Sequence, residues 1–82
     1  MKLIITPKAE KQFVKLPKIE GKKVIKKLDL LIREPFVGKK LSGDLEGYFS
    51  VRSWPYRIIY HINKSKRVIW IDSIVHRQGA YD

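Results

Sequence analysis

The segment Gly47–Tyr60, GYFSVRSWPYRIIY, constrains the fold more than any other part of this chain. Two β-prone runs flank a tight connection at Ser53-Trp54-Pro55. The segment therefore predicts a hairpin, and a hairpin fixes a register. With a loop of four residues from Ser53 to Tyr56, Arg52 and Arg57 fall opposite each other. Like charges directly across a ladder are destabilising. A chain that keeps them is expected to place an anion between them, and the anion expected here is an RNA phosphate.

Composition narrows the class. Eighty-two residues make one domain, spanning 1–82, with room for a single core. Hydrophobic residues are 44% of the chain, enough for a folded domain. There is no cysteine, which excludes disulfides and thiolate metal sites. Met1–Ile5 is a short apolar run ended by Thr6-Pro7, so neither a membrane span nor a leader is expected, and the localisation expected is cytoplasmic. The net charge of +10 favours a polyanionic partner. Lysines crowd the first half, whereas four of the five arginines follow Gly47. Arginine suits fixed, bidentate phosphate contacts, and lysine suits a solvated surface.

Lys2–Ile5 predicts a first strand. Thr6 as N-cap and Pro7 at the first helical position predict a helix with Ala9, Phe13 and Leu16 on its inner face, ended by Pro17. A second helix is expected from Glu20 to Arg33, burying Val24, Ile25, Leu28, Leu31 and Ile32 and leaving Lys22, Lys23, Lys26 and Lys27 wet. Phe36–Glu46 is expected as a loop. Strands follow at Tyr48–Ser53, Tyr56–Ile62 and Arg67–Val75. The fold class is α+β, in the order β-α-α-β-β-β: a helical hairpin on one face of a small, mostly antiparallel sheet.

A four-residue loop at Asn63–Lys66 would set Ile62 against Arg67, Ile58 against Ile71 and Asp72 against Arg57. The helix face would then hold Tyr56, Ile58, Tyr60, Ile62, Ile69, Ile71, Ser73 and Val75. The other face would hold Arg57, Ile59, His61, Val68, Trp70, Asp72, Ile74 and His76, joined by Tyr48, Ser50 and Arg52. Bases stack on aromatic side chains and arginines bind phosphates, so this mixed face is the expected RNA surface.

Several pieces, in order, resemble the RelE/ParE superfamily of toxins, on its RelE-like side: Lys15-Leu16-Pro17, Pro35 with Leu41-Ser42-Gly43, Val51–Tyr60, and Ile74-x-His76-Arg77-x-x-x-Tyr81. The resemblance implies a ribosome-dependent mRNA endonuclease in which a ribose 2′-OH attacks the adjacent phosphate, with no cofactor and no metal. It also implies a RelB-like antitoxin that neutralises the toxin in a hetero-oligomer, with the ribosome and mRNA as further partners and no membrane. By the same resemblance Arg57 and Arg52 stabilise the phosphorane, His76 serves as base or acid, Arg77 binds phosphate, and Tyr81 stacks or moves a proton.

Each role has a structural competitor. Arg57 could pair with Asp72, Arg52 could be a solvated edge arginine, and Tyr81 could plug the tail. The sequence departs from the family at Ser50, where many relatives carry a basic residue. Lys39 or Lys40 could compensate, and Trp70 could stack on a base. Two other functions fit the fold class: a gyrase-inhibiting toxin, and a basic RNA-binding module without activity.

Overall fold

Thr6 ties the first strand to the first helix. The structure, a computed structural model, describes residues 1–78. Strand β1 (Lys2–Ile5) ends at Thr6, whose backbone is extended and whose Oγ1 accepts the Ala9 N–H at 3.2 Å. Pro7, whose missing N–H costs nothing at a helix start, opens α1 (Pro7–Val14). Helix α2 (Lys18–Arg33) starts directly after Pro17, two residues earlier than its apolar stripe suggests. Four strands follow: β2 (Lys39–Lys40), β3 (Tyr48–Ser53), β4 (Tyr56–Asn63) and β5 (Val68–His76). A 3-10 turn at Gly43–Leu45 lies between β2 and β3.

The sheet order is β1-β5-β4-β3-β2, with β1 parallel to β5 and the other pairs antiparallel. The expected α+β plan holds, with β2 as an additional edge strand inside the segment read as a loop. Two consecutive lysines give no alternation, so β2 leaves no mark on the hydrophobic pattern.

The helices cover one face. Val24 and Leu31 are fully buried against Ile58, Tyr60, Ile69 and Ile71, and Leu28 and Ile74 complete the core. Burying each such aliphatic side chain contributes roughly 1.5–3 kcal/mol. Ile25 and Ile32, expected inside, are 48% and 43% exposed.

The β4–β5 register differs from expectation in two steps. The connecting loop has four residues, but it is displaced one residue along the chain: Asn63 opposes Val68 and Ile62 opposes Ile69. Asn63 Oδ1 accepts the Lys66 N–H, and Arg67 takes a left-handed φ of 55°, so the strand begins after Arg67. This step moves the pairing by two and preserves the faces. A β-bulge then intervenes: Tyr60 opposes Ile71, but Ile59 opposes Ser73, leaving Asp72 as the extra residue. Thr6 Oγ1 donates to the Asp72 carbonyl at 3.2 Å, and the Ile74 N–H donates to Gln12 Oε1 of α1 at 2.7 Å. Beyond the bulge the faces exchange. Ile74 enters the core, and Ser73 and Val75 join the open face opposite Ile59 and Arg57.

Candidate nucleic-acid interface

The tight turn at Trp54-Pro55 sets β3 against β4 so that Arg52 opposes Arg57, as the hairpin reading predicts. Opposed Cα atoms in such a ladder lie about 4.5–5.5 Å apart, so two guanidinium groups share one small area. Arg57 is half-buried and Arg52 is exposed. Among the described residues, neither has a carboxylate salt-bridge partner. The expected alternative, an Arg57–Asp72 pair, does not form. The displaced loop takes Asp72 out of the row of Arg57, and the bulge then sets Val75 opposite Arg57.

A third cation reaches the same face through β2. Lys39 pairs with Ser50, one row from Arg52, whereas Lys40 pairs with Phe49 on the other face. Lys39 thus stands beside the serine that departs from the family pattern. Its position depends on Gly38, where a Cβ would run into the Tyr60 hydroxyl and lie 3.0 Å from the Ser50 carbonyl. The Gly38 N–H donates to Tyr60 Oη at 3.0 Å, and Tyr60 O–H donates to the Pro35 carbonyl at 2.9 Å. Burial raises the Tyr60 pKa above 10.0, and the Gly38 hydrogen bond opposes that shift.

The end of β5 is arranged differently from expectation. His76 opposes Tyr56 on the helix side of the sheet, with the two rings edge-on at 5.4 Å, so it leaves the face that carries Arg57. The bulge is the cause, because one extra residue inverts every side chain beyond it. The Gln78 N–H donates to His76 Nδ1 at 3.3 Å, which in the neutral ring leaves the proton on Nε2. Arg77 gains the parity of Val75 and Arg57. Its N–H donates to the Pro55 carbonyl at 2.8 Å, and its guanidinium lies 4.9 Å from the centre of the Trp54 ring. Arg52, Arg57 and Arg77 therefore gather at one end of the sheet. Tyr81 lies outside the described residues.

At the other end of the open face, His61 Nδ1–H donates to Asp72 Oδ2 at 2.6 Å. Its ring stacks on Trp70 at 6.3 Å and meets Tyr48 edge-on at 5.4 Å. This row is four residues along β4 from Arg57, roughly 13 Å away. Trp70 is therefore a neighbour of the histidine and not of the arginines. The His61–Asp72 pair follows from the displaced β4–β5 loop, which brings Asp72 next to the His61–Trp70 row and which the sequence pattern does not announce. Nor does the pattern reveal Trp54, which reads as a turn residue yet contacts Arg77.

Two helices packed on one face of a five-stranded mixed sheet, with three arginines at one end, define a small basic α+β domain. Solved structures share that fold. The RelBE2 toxin–antitoxin complex of Mycobacterium tuberculosis contains a chain 33% identical, with a TM-score of 0.85, covering 93% of this chain and 96% of that one. The archaeal RelE–RelB complex of Pyrococcus horikoshii matches at 27% identity and a TM-score of 0.77, over 96% of this chain and 97% of that one. Toxin RelG of Mycobacterium tuberculosis is 40% identical over 52 residues, a match spanning 62% of this chain and 60% of that protein. The family described as "ParE toxin of type II toxin-antitoxin system, parDE" matches residues 3–81. The chain belongs to this family of type II toxins, within the RelE/ParE superfamily.

Proposed function

We propose that this toxin is a ribosome-dependent mRNA endonuclease that needs no metal. The observation that carries the reading is the Arg52–Arg57 pair, opposed across a ladder and without a carboxylate partner among the described residues. In the reaction a ribose 2′-oxygen bonds to the adjacent phosphorus and the bond to the 5′-oxygen breaks. The 2′-OH loses its proton and the leaving 5′-oxygen gains one, giving a 2′,3′-cyclic phosphate and a 5′-hydroxyl. Charge builds on the phosphorane oxygens, where fixed cations stabilise the transition state more than the ground state.

Arg57 and Arg52 are assigned to those oxygens, with Lys39 supplying the cation that Ser50 does not. Arg77 is assigned to a neighbouring phosphate. His76 stands beside Tyr56 on the helix side of the sheet, away from the face of Arg57, and is assigned no proton transfer. Tyr81 is assigned to the 2′-OH side.

A RelB-like antitoxin is the proposed partner, in a hetero-oligomer that includes no membrane component. Among the described residues, no helix is long and apolar enough to cross a membrane. Ile25, Ile32, Phe36 and Val37 are exposed along α2 and the segment that follows it, an apolar surface suited to an amphipathic antitoxin segment.

The test is induction in cells, wild type beside Arg57→Ala, with primer extension on abundant transcripts. Growth arrest with new mRNA ends inside reading frames, lost in the variant, is the expected result. One observation favours a second reading: the matched family is the ParE toxin family. Growth arrest with intact mRNA and trapped DNA breaks would establish gyrase inhibition instead. A folded protein that binds RNA without arrest would be an inactive binding module.

A further inference from the structure

A second basic site lies around the corner from the arginine pair. Between α2 and the tip of the β3–β4 hairpin there is a cleft of about 610 Å³. Helix α2 contributes Lys23, Lys26, Lys27 and Arg33, which share one helical face at spacings of three, four, seven and ten residues. The hairpin contributes Arg52, Ser53 and Trp54.

Three features mark it as a built site. Lys23 and Lys27 are like charges at i and i+4, an arrangement that weakens a helix by a few tenths of a kcal/mol. Among the described residues, only Lys23 of these cations has a carboxylate partner, Glu20 at 3.1 Å. Ser53 is 4% exposed, and its hydroxyl has no hydrogen-bond partner among the described residues. A buried hydroxyl left unpaired costs about 1–3 kcal/mol, so a donor held at the cleft wall suits an acceptor that arrives from outside. Trp54 is 54% exposed in the same wall, a large indole with Arg77 over its ring and the remainder accessible.

Lysine, arginine, a hydroxyl donor and an accessible indole are the side chains that hold single-stranded RNA: phosphates on the cations, a base on the aromatic face. The volume falls within the range of a site for a nucleotide-sized ligand. A docked amphipathic helix needs apolar anchors along its length, and Leu30 and Trp54 are the only apolar side chains lining this cleft among the described residues. Arg52 belongs to both the cleft and the arginine pair, so one strand can pass from one to the other.

We propose that the cleft is a second subsite for the RNA strand, holding a nucleotide that flanks the cleaved one. Its phosphate lies on Lys23, Lys26, Lys27 and Arg33, Ser53 donates to a phosphate or sugar oxygen, and Trp54 stacks on the base. This rests on the reading of RNA as the substrate, but it concerns binding and can be tested apart from cleavage.

The experiment uses the full chain carrying Arg57→Ala, so that no cleavage intervenes, and a short, unstructured, fluorescently labelled RNA oligonucleotide as probe. Binding is followed by anisotropy across a salt series. Two triple variants with the same net charge are compared: Lys23→Ala with Lys26→Ala and Lys27→Ala in the cleft, and Lys8→Ala with Lys11→Ala on α1 and Lys15→Ala at its C-cap. Alanine is the best helix former, and circular dichroism checks that both variants fold.

The cleft triple is expected to weaken Kd by at least roughly tenfold at moderate salt and to lower the salt slope by about 2. The α1 triple should change Kd by less than about twofold, because it removes only surface charge. Trp54→Ala should weaken binding by at least roughly fivefold. Equal losses in the two triples would show a diffuse field and no site. An unchanged Kd in the cleft triple would also overturn the proposal, as would an oligonucleotide that fails to bind while an acidic antitoxin peptide shields the cleft lysines from acylation. Absence of mRNA cleavage in cells, with the cleft dependence intact, would refute the endonuclease reading and leave the RNA subsite standing.

Discussion

Arg57 and His61 stand on the same face of β4, four residues apart, and their surroundings are opposites. His61 has Asp72 at 2.6 Å, an indole stacked on one side and a phenol edge-on at the other. Arg57 has a second arginine directly opposite and, among the described residues, no carboxylate. One polar side chain is satisfied by the fold, and the other is left to be satisfied from outside. A folded chain that tolerates such a conflict gives up stability for function at that position. Lys26, Lys27 and Arg33 on α2, which have no carboxylate partner among the described residues, repeat the pattern on a second element.

The sharpest way to break this comparison is to remove one member of each pair and read activity and stability together. Arg57→Ala should lower mRNA cleavage at least roughly a hundredfold, the size of effect seen when one fixed donor to a developing anion is lost. Stability should stay level or rise by about 0.2–1 kcal/mol as the like-charge contact disappears. Gly38→Ala comes next. Its Cβ would run into the Tyr60 hydroxyl, costing about 1–3 kcal/mol in urea unfolding, and cleavage should fall because Lys39 is displaced with β2.

Asp72→Asn should do the reverse of Arg57→Ala. It should cost about 1 kcal/mol in urea unfolding, moderated by the partial exposure of the pair, and leave cleavage within about twofold of wild type. The smallest expected effect belongs to pH. The folded Tyr60 pKa is raised by burial, so its contribution to stability is complete below about pH 10 and is lost as pH rises through the folded value. Urea midpoints at about pH 9 and pH 11 should therefore fall further in wild type than in Tyr60→Phe.

What could be read from the sequence divides at the bulge. The β3–β4 hairpin was legible because its turn is short and its alternation unbroken, and with it came the Arg52–Arg57 pairing. The helices were legible from Thr6-Pro7, Pro17, Pro35 and the apolar stripe, although Ile25 and Ile32 of that stripe stay exposed. The β4–β5 loop has the expected four residues but starts one residue later, because nothing about Arg67 announces a left-handed φ. The bulge at Asp72 was invisible, since it rests on Thr6 and Gln12, more than sixty residues away along the chain. That contact moves His76 to the helix side, while the displaced loop brings Asp72 toward His61 and away from Arg57. Strand β2 was invisible for another reason: two lysines carry no periodicity, yet they decide that Lys39, and not Lys40, joins the arginines.

The central claim is that Arg52 and Arg57 are opposed for an anion and at some cost to the fold. A double-mutant cycle tests it most directly, with Arg52→Gln, Arg57→Gln and both together, scored by urea unfolding and by mRNA cleavage on the same proteins. Each single variant should be as stable as wild type or more so, by about 0.2–1 kcal/mol, while cleavage collapses in both. Single variants that lose more than about 1 kcal/mol, or that unfold like wild type and still cut mRNA at its rate, would contradict it.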